Sequence, residues 1–274
     1  GLEELGLDDS YLILGRDPDI SEIKPELVVL SPGVSPRVPF VAEAGRRGIP
    51  LWSEVELALR NSRAVTVGIT GSNGKTTTAT LAGKLAEATG RDTIVAGNIG
   101  IALSDQAGQL DEKGIIIAEL SSFQLEFIDK LRVHIAVMLN ITPDHLDRHE
   151  SMEKYAAAKA RIFQNQTEED LAVLNWDDLL VRSFAGKTKA RVIYFSVNEK
   201  LDQGIFLRGE DIVLQNKGLI QPVINRRELL LKGNHNLQNV MAATAVALEL
   251  GLELEKIREV LRSFAPVKHR QEIV

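Results

Sequence analysis

The sequence predicts a doubly wound, mostly parallel α/β sheet built around a phosphate-cradling loop. Two observations carry that prediction. Short β-branched runs alternate with amphipathic helical periods over most of the chain, and the first strong strand passes through a glycine-rich turn into a helix rich in Ala and Leu. Internal repeats and low-complexity tracts do not occur.

In chain order, strands are expected over residues 65–69, 93–96, 115–120, 135–139, 171–174 and 192–195, with helices over 75–89, 123–129, 152–165 and 177–184. The doubly wound core then starts near residue 62. From 203 to 231 the pattern changes to apolar/polar alternation broken by Gly204, Gly209, Gly218 and Pro222, which reads as a small antiparallel hairpin region. A helix over 235–250, stopped by Gly251, and another over 253–263 follow. Before residue 60 there are strand-like runs at 11–14 and 27–30 and a helix at 39–47, but no opening strand with a Gly-rich first turn. These pieces read as part of a domain. Residues 271–274 begin a strand-like run and stop, so the chain reads as cut at both ends.

Composition sets bounds. A length of 274 residues, 44% apolar and 26% charged, is that of one or two ordinary globular domains. A formal charge of -6 offers no basic field, so no nucleic-acid partner is expected. The lack of cysteine excludes disulfides, thiolate zinc sites and cysteine nucleophiles. Apolar runs such as 115–120 and 135–139 are too short to span a bilayer and the first residues carry no signal pattern, so the expectation is a soluble, cytoplasmic chain with no membrane partner.

The chemistry begins at Thr70-Gly71-Ser72-Asn73-Gly74-Lys75-Thr76-Thr77-Thr78. Glycines let successive backbone N–H groups face an anion, the helix start adds partial positive charge, Lys75 can reach outer phosphates and Thr76 can ligate Mg²⁺. The strict Walker spacing would need a glycine where Ile69 stands. A glycine turn that only caps a helix is the alternative, and it leaves the Lys-Thr pair unexplained.

Glu119 ends the run Ile115-Ile116-Ile117-Ala118-Glu119. A carboxylate there, at the ligand-binding edge of a parallel sheet, suits a hard Mg²⁺ ion beside phosphates; a solvated rim glutamate is the alternative. The loop Asn140-Ile141-Thr142-Pro143-Asp144-His145-Leu146-Asp147-Arg148-His149 is dense in titratable groups. Within it His145, between Asp144 and Asp147, is the better ligand candidate, whereas His134 is expected to pack at a strand start and His149 to be surface polar.

Lys159 falls in the middle of the apolar stripe formed by Met152, Tyr155, Ala156, Ile162 and Phe163. An ammonium on such a face must be paired, snorkel outward or be chemically changed. Asn236 and Asn239, three apart at the start of a helix, can offer amide donors and acceptors together. Capping accounts for one of them. Arg270, after Pro266, can serve a phosphate or be linker charge.

Taken together, the Thr-Gly-Ser-Asn-Gly-Lys-Thr loop at 70–76, the Asp-His-Leu-Asp-Arg-His segment at 144–149, the Ala-Ala-Ala-Lys helix at 156–159 and the His-Asn-Leu-Gln-Asn helix start at 235–239 resemble the Mur ligases and their folylpolyglutamate synthetase relatives. Within that family, Glu119-Leu120-Ser121-Ser122-Phe123-Gln124-Leu125-Glu126, the 30–35 segment and the Ala96-Gly97-Asn98-Ile99-Gly100 loop resemble the members that act on D-glutamate.

The resemblance implies a partial N-terminal UDP-binding Rossmann-like domain over 1–60, a P-loop-containing central ATP-binding domain over 61–268, and the start of a linker at 269–274 toward a third domain that binds the amino acid. It implies ATP-dependent joining of D-glutamate to UDP-N-acetylmuramoyl-L-alanine through an acyl phosphate, in peptidoglycan precursor synthesis, by a cytoplasmic monomer. Carried over position by position, Gly71, Ser72, Asn73, Gly74, Lys75, Thr76 and Thr77 hold the ATP phosphates, and Asn236, Asn239 and Arg270 serve the nucleotide. Thr76, Glu119, His145 and Lys159 serve two Mg²⁺ ions, with Lys159 carbamylated. Asn98, Ser121, Gln124 and His145 contact the muramoyl substrate, Ser31 lies by its UDP moiety, and Lys75, Asn98, His145 and Lys159 are the catalytic set. Because the opening turn and the third domain are missing from the sequence, the chain by itself is expected to have negligible ligase activity.

Three other readings stay open at this level. One is a P-loop switch or motor NTPase. A metal-dependent hydrolase could be built on residues 144–149, or the chain could be a binding fragment without catalysis.

Overall fold

The computed structural model describes residues 13–60, 62–98 and 102–265. Strands that are apolar on both faces are stable only when helices cover both sides, and the sequence supplies such strands in series. Near the N-terminus come α1 (Ile20–Ile23), β1 (Val28–Leu30), α2 (Pro39–Arg46), β2 (Leu51–Ser53) and α3 (Glu54–Leu59). The main unit continues with β3 (Val65–Thr70), α4 (Lys75–Glu87), β4 (Thr93–Gly97), α5 (Leu103–Gln106), β5 (Ile115–Glu119), α6 (Ser122–Leu125), β6 (Ile135–Met138), α7 (Leu146–His149), α8 (Met152–Ala160), β7 (Leu171–Asn175), α9 (Leu179–Ser183) and β8 (Arg191–Ser196). It closes with β9 (Gly204–Arg208), β10 (Asp211–Asn216), β11 (Leu219–Asn225), α10 (Asn234–Glu249) and α11 (Leu254–Ser263).

The strands form a two-stranded parallel β1-β2 sheet and a nine-stranded sheet in the order β11-β10-β9-β8-β7-β6-β3-β5-β4. Pairing is parallel from β4 through β9 and antiparallel for β9-β10 and β10-β11. Period-two alternation divides the core between the faces. Val67, Ile69, Ile115, Ile117, Val137 and Val173 pack with α4, α10 and α11, while Ile116, Ala118, Ala136, Met138 and Leu174 pack with α3 and α8. Strand β3 lies between β5 and β6, so the chain reverses direction across the sheet there and a crevice opens at the strands' carboxyl ends.

One expectation is extended and three are corrected. Residues 203–231 do form antiparallel hairpins, β9-β10 and β10-β11, and these extend the main sheet because β9 pairs in parallel with β8. The turn at Lys217 and Gly218, both at positive φ, has the geometry that joins twisted antiparallel strands. The helix expected over 123–129 stops at Leu125, because the following chain bonds elsewhere. Phe127 O accepts from Ser53 N at 2.9 Å, and the buried Glu56 carboxylate accepts the N–H groups of Asp129, Lys130 and Leu131, each at 2.9 Å. The helix expected over 152–165 tightens after Ala160 into a 3₁₀ turn. Finally, the strand expected at 11–14 lies partly outside the described residues, and Ile13 and Leu14 are irregular and exposed.

Candidate active site

The phosphate-type loop joins β3 to α4. Gly74 is the helix N-cap at φ 84, and a Cβ there would overlap Asn239 Oδ1; a Cβ at Gly71 would lie 3.0 Å from Leu139 Cβ. Glycine is therefore demanded by the neighbours pressing on the loop as well as by the backbone. In the first turn of α4 the N–H groups of Thr76 and Thr77 project from the helix end, where the dipole favours an anion. The N–H groups of Ser72 and Asn73 are instead taken by Asn140, through its carbonyl at 2.9 Å and its Oδ1 at 2.8 Å. Asn140 Nδ2 returns a bond to Asn73 O at 3.1 Å. Lys75 Nζ donates to the carbonyls of Gly71 (3.0 Å) and Ser72 (2.8 Å).

Lys159, on α8, approaches the same loop from below. It is buried, and its Nζ donates to Gly71 O at 2.9 Å, the carbonyl that also accepts from Lys75. Burial, with the Lys75 ammonium second, pulls its pKa down to about 7, against the opposing pull of Asp144 and Glu119. Snorkelling is excluded by this placement. Its ammonium lies 4.8 Å from the centre of the Tyr155 ring, one helical turn earlier.

Glu119 ends β5 beside Ile69 of β3 and Gly97 of β4, so its carboxylate stands at the crevice edge. The residue is buried, not a solvated rim. Oε1 accepts from Asn98 Nδ2 at 3.0 Å, whereas Oε2 is buried with no hydrogen-bond partner. Thr76 Oγ1 is likewise buried without a partner. Orphaned buried oxygens are costly in a native protein, and these two, one at the end of β5 and one in the first turn of α4, have the chemistry a hard divalent cation takes.

His145 sits at φ 52, a left-handed conformation uncommon outside glycine, which turns the chain into α7. Its ring is half-exposed, 3.4 Å from an Asp144 carboxylate oxygen and 4.9 Å from the centre of the Phe123 ring. His134 packs at the start of β6 as expected, its Nδ1 accepting from Thr66 N at 3.0 Å, and burial lowers its pKa. His149 is not surface polar. It turns inward, 2.9 Å from Ser122 Oγ and 3.4 Å from Glu126, and burial lowers its pKa against the pull of Glu126. Among the described residues no three of His, Asp or Glu converge as a metal cage.

The remaining expected residues fall around this centre. Ser121 and Gln124 form a capping box for α6, with Gln124 N donating to Ser121 Oγ (3.2 Å) and Ser121 N to Gln124 Oε1 (2.9 Å). Asn236 and Asn239 share one face of α10 and bond each other at 3.2 Å; neither is the helix cap, which is Gly233. Ser31 is exposed in the turn after β1. Arg270 lies outside the described residues.

Sequence reasoning passed over Tyr155 and Arg148. The Tyr155 hydroxyl lies 3.0 Å from Ser72 Oγ, which also bonds the backbone N–H and C=O of Thr142, each at 3.0 Å, so one tyrosine ties the phosphate-type loop to the His145 loop. Its four-residue spacing from Lys159 was the available signal. Arg148 gave no signal, because the carbonyls it holds, those of Pro32 and Val34, lie more than a hundred residues earlier in the chain.

Comparison with known proteins bears out the fold. Residues 69–247 match the Mur ligase middle domain. The chain is 56% identical over 274 residues to a UDP-N-acetylmuramoylalanine–D-glutamate ligase of Desulfitobacterium hafniense, and 45% identical over 276 residues to one of Clostridioides difficile. In both cases the match covers 100% of this chain and 60% of the relative, so the chain spans about three-fifths of their length. Among solved structures, the UDP-N-acetylmuramate:L-alanyl-γ-D-glutamyl-meso-diaminopimelate ligase from Neisseria meningitides superposes with TM-score 0.65 at 20% identity, covering 98% of this chain and 87% of that one. With a nucleotide-type loop, orphaned carboxylate and hydroxyl oxygens and a buried lysine gathered over a sheet matched along 69–247, the chain belongs to the Mur ligase family.

Proposed function

We propose that this chain is the ATP-activating part of a UDP-N-acetylmuramoylalanine–D-glutamate ligase, acting as a cytoplasmic monomer in peptidoglycan precursor synthesis. The muramoyl-alanine carboxylate attacks the γ-phosphate of ATP, ADP leaves, and the resulting acyl phosphate is attacked by the D-glutamate amine with loss of phosphate. Positioning and charge neutralisation are most of what such a transfer requires. Lys75 and the start of α4 hold the transferring phosphates, swinging from the loop carbonyls that Lys75 occupies here. Asn98 holds the Glu119 carboxylate in place, and Ser31, Ser121, Gln124 and His145 line the approach of the muramoyl substrate. Asn236, Asn239 and Arg270 serve the nucleotide. Thr76 and Glu119 would hold one Mg²⁺ ion, and His145 with Lys159 a second; bound Mg²⁺ supplies charge neutralisation on the phosphates.

The observation that carries the reading is Lys159. A buried lysine sharing one carbonyl with Lys75 is an unfavourable placement for two ammoniums, and a pKa of about 7 leaves much of it as free amine. A free amine adds CO₂, forming a C–N bond and releasing a proton, so a cation becomes a carbamate that complements Lys75 and a metal ion. A switch NTPase has no use for such a group. The test is turnover by the full-length protein with ATP, UDP-N-acetylmuramoyl-L-alanine and D-glutamate, L-alanine or diaminopimelate as acceptor. Phosphate release that depends on D-glutamate is expected; turnover with another acceptor and none with D-glutamate would overturn the assignment.

A further inference from the structure

The turn that carries Ser31 and the α7 segment that follows His145 are bound by a reciprocal pair of arginines. Arg148 Nη1 donates to Pro32 O at 3.2 Å and reaches Gly33 O at 3.5 Å, while Nη2 donates to Val34 O at 3.1 Å and to Glu126 Oε2 at 2.7 Å. In return, Arg37 Nη2 donates to the carbonyl of Arg148 at 3.0 Å and pairs with Glu150 at 2.7 Å. The two contributions differ in weight. The Arg148 side chain is 12% exposed and Glu126 17%, so that pair is shielded, whereas Arg37 and Glu150 are about half exposed and screened by solvent.

The guanidinium also stacks on Phe123, 4.3 Å from the ring centre, and the same ring lies 4.9 Å from the His145 ring. A continuous line of contact therefore runs from the 32–34 carbonyls through Arg148 and Phe123 to His145. Phe123 sits on α6 beside Ser121 and Gln124, so three of the residues assigned above to the muramoyl substrate, and Ser31, are all referred to one guanidinium.

We propose that Arg148 is a positioning residue for the uridine-diphospho-sugar substrate, fixing the Ser31 turn against His145 so that a single ligand spans both, with Arg37 reinforcing it from the exposed side. This rests on the function proposed above. Lysine cannot substitute, because a point charge cannot reach two carbonyls and a carboxylate in fork geometry.

The test is steady-state kinetics of the full-length protein with Arg148→Lys and Arg37→Ala. For Arg148→Lys, KM for UDP-N-acetylmuramoyl-L-alanine is expected to rise about tenfold, with KM for ATP and D-glutamate within about twofold and kcat within about threefold. Arg37→Ala is expected to move the same constant in the same direction by less. An unchanged KM for the sugar nucleotide, or equal losses for all three substrates, would overturn the positioning role. Wild-type protein that does not turn over the sugar nucleotide would remove the functional reading beneath it and the role with it. Hydrogen exchange at Val34 N–H, which bonds Ser31 O at 3.0 Å, gives a ligand-independent readout: it is expected to speed up in Arg148→Lys, and unchanged exchange would count against the clasp.

Discussion

At Lys159 the cost of the fold and the chemistry of the site coincide. The side chain titrates near 7 when folded and near its ordinary 10.5 when unfolded. Between those values the unfolded chain holds a proton that the folded chain does not, so stability rises with pH across the window, and below about pH 7 the full penalty of the buried ammonium applies. Lys159→Met should therefore stabilise the protein by a few kcal/mol near pH 6 and by much less near pH 9, read by urea unfolding at both pH values. A gain that does not shrink with rising pH would refute this. Lys75→Ala removes the neighbouring ammonium that depresses Lys159, so the pH at which ¹³CO₂ yields a carbamate NMR signal should move upward; an unmoved midpoint would show that burial acts alone. Lys159 was legible in the sequence because its place in an apolar stripe is periodic. His149 was not, since its partners Ser122 and Glu126 arrive from another segment and nothing in the spacing of residues 144–149 distinguishes an inward from an outward imidazole.

Among the elements, α3 shows how a tertiary contact overrides local periodicity. The Glu56 carboxylate takes three consecutive backbone N–H groups after α6 and also pairs with Arg60 at 3.2 Å. Glu56→Gln replaces one acceptor oxygen with an NH₂ donor and removes the charge at a fully buried position, so a loss of about 2–3 kcal/mol is expected in chemical denaturation; a change within experimental error would show that the segment holds itself. This contact is why the helix read over 123–129 ends at Leu125. Strands such as Ile115–Glu119 and Leu171–Asn175 were legible nearly to the residue because both faces are apolar and β-branched or small, a pattern that needs no knowledge of partners. Helix ends and the joining of β9 to β8 depend on long-range pairing, which spacing along the chain does not carry.

Across the whole molecule, the sheet order places β3 between β5 and β6, so Thr76, Glu119 and the Asn140–His145 loop meet at one edge although they are far apart in sequence. That convergence predicts a linked response to ligand. Binding confined to the folded state adds RT ln(1 + [L]/Kd), about 2.7 kcal/mol at a hundredfold excess over Kd, so Mg²⁺ with ATP should raise the thermal midpoint in proportion to log concentration. On the proposed Mg²⁺ site, the metal-dependent part of that rise depends on the orphaned Oε2 of Glu119 and Oγ1 of Thr76. Glu119→Gln keeps the size and the contact with Asn98 but removes the negative charge, so its midpoint should respond to ATP in EDTA as wild type does and lose most of the further increment on adding Mg²⁺. An increment equal to wild type would place the cation elsewhere, and loss of the EDTA response as well would mean that Glu119 supports the phosphate-type loop itself rather than a metal ion beside it.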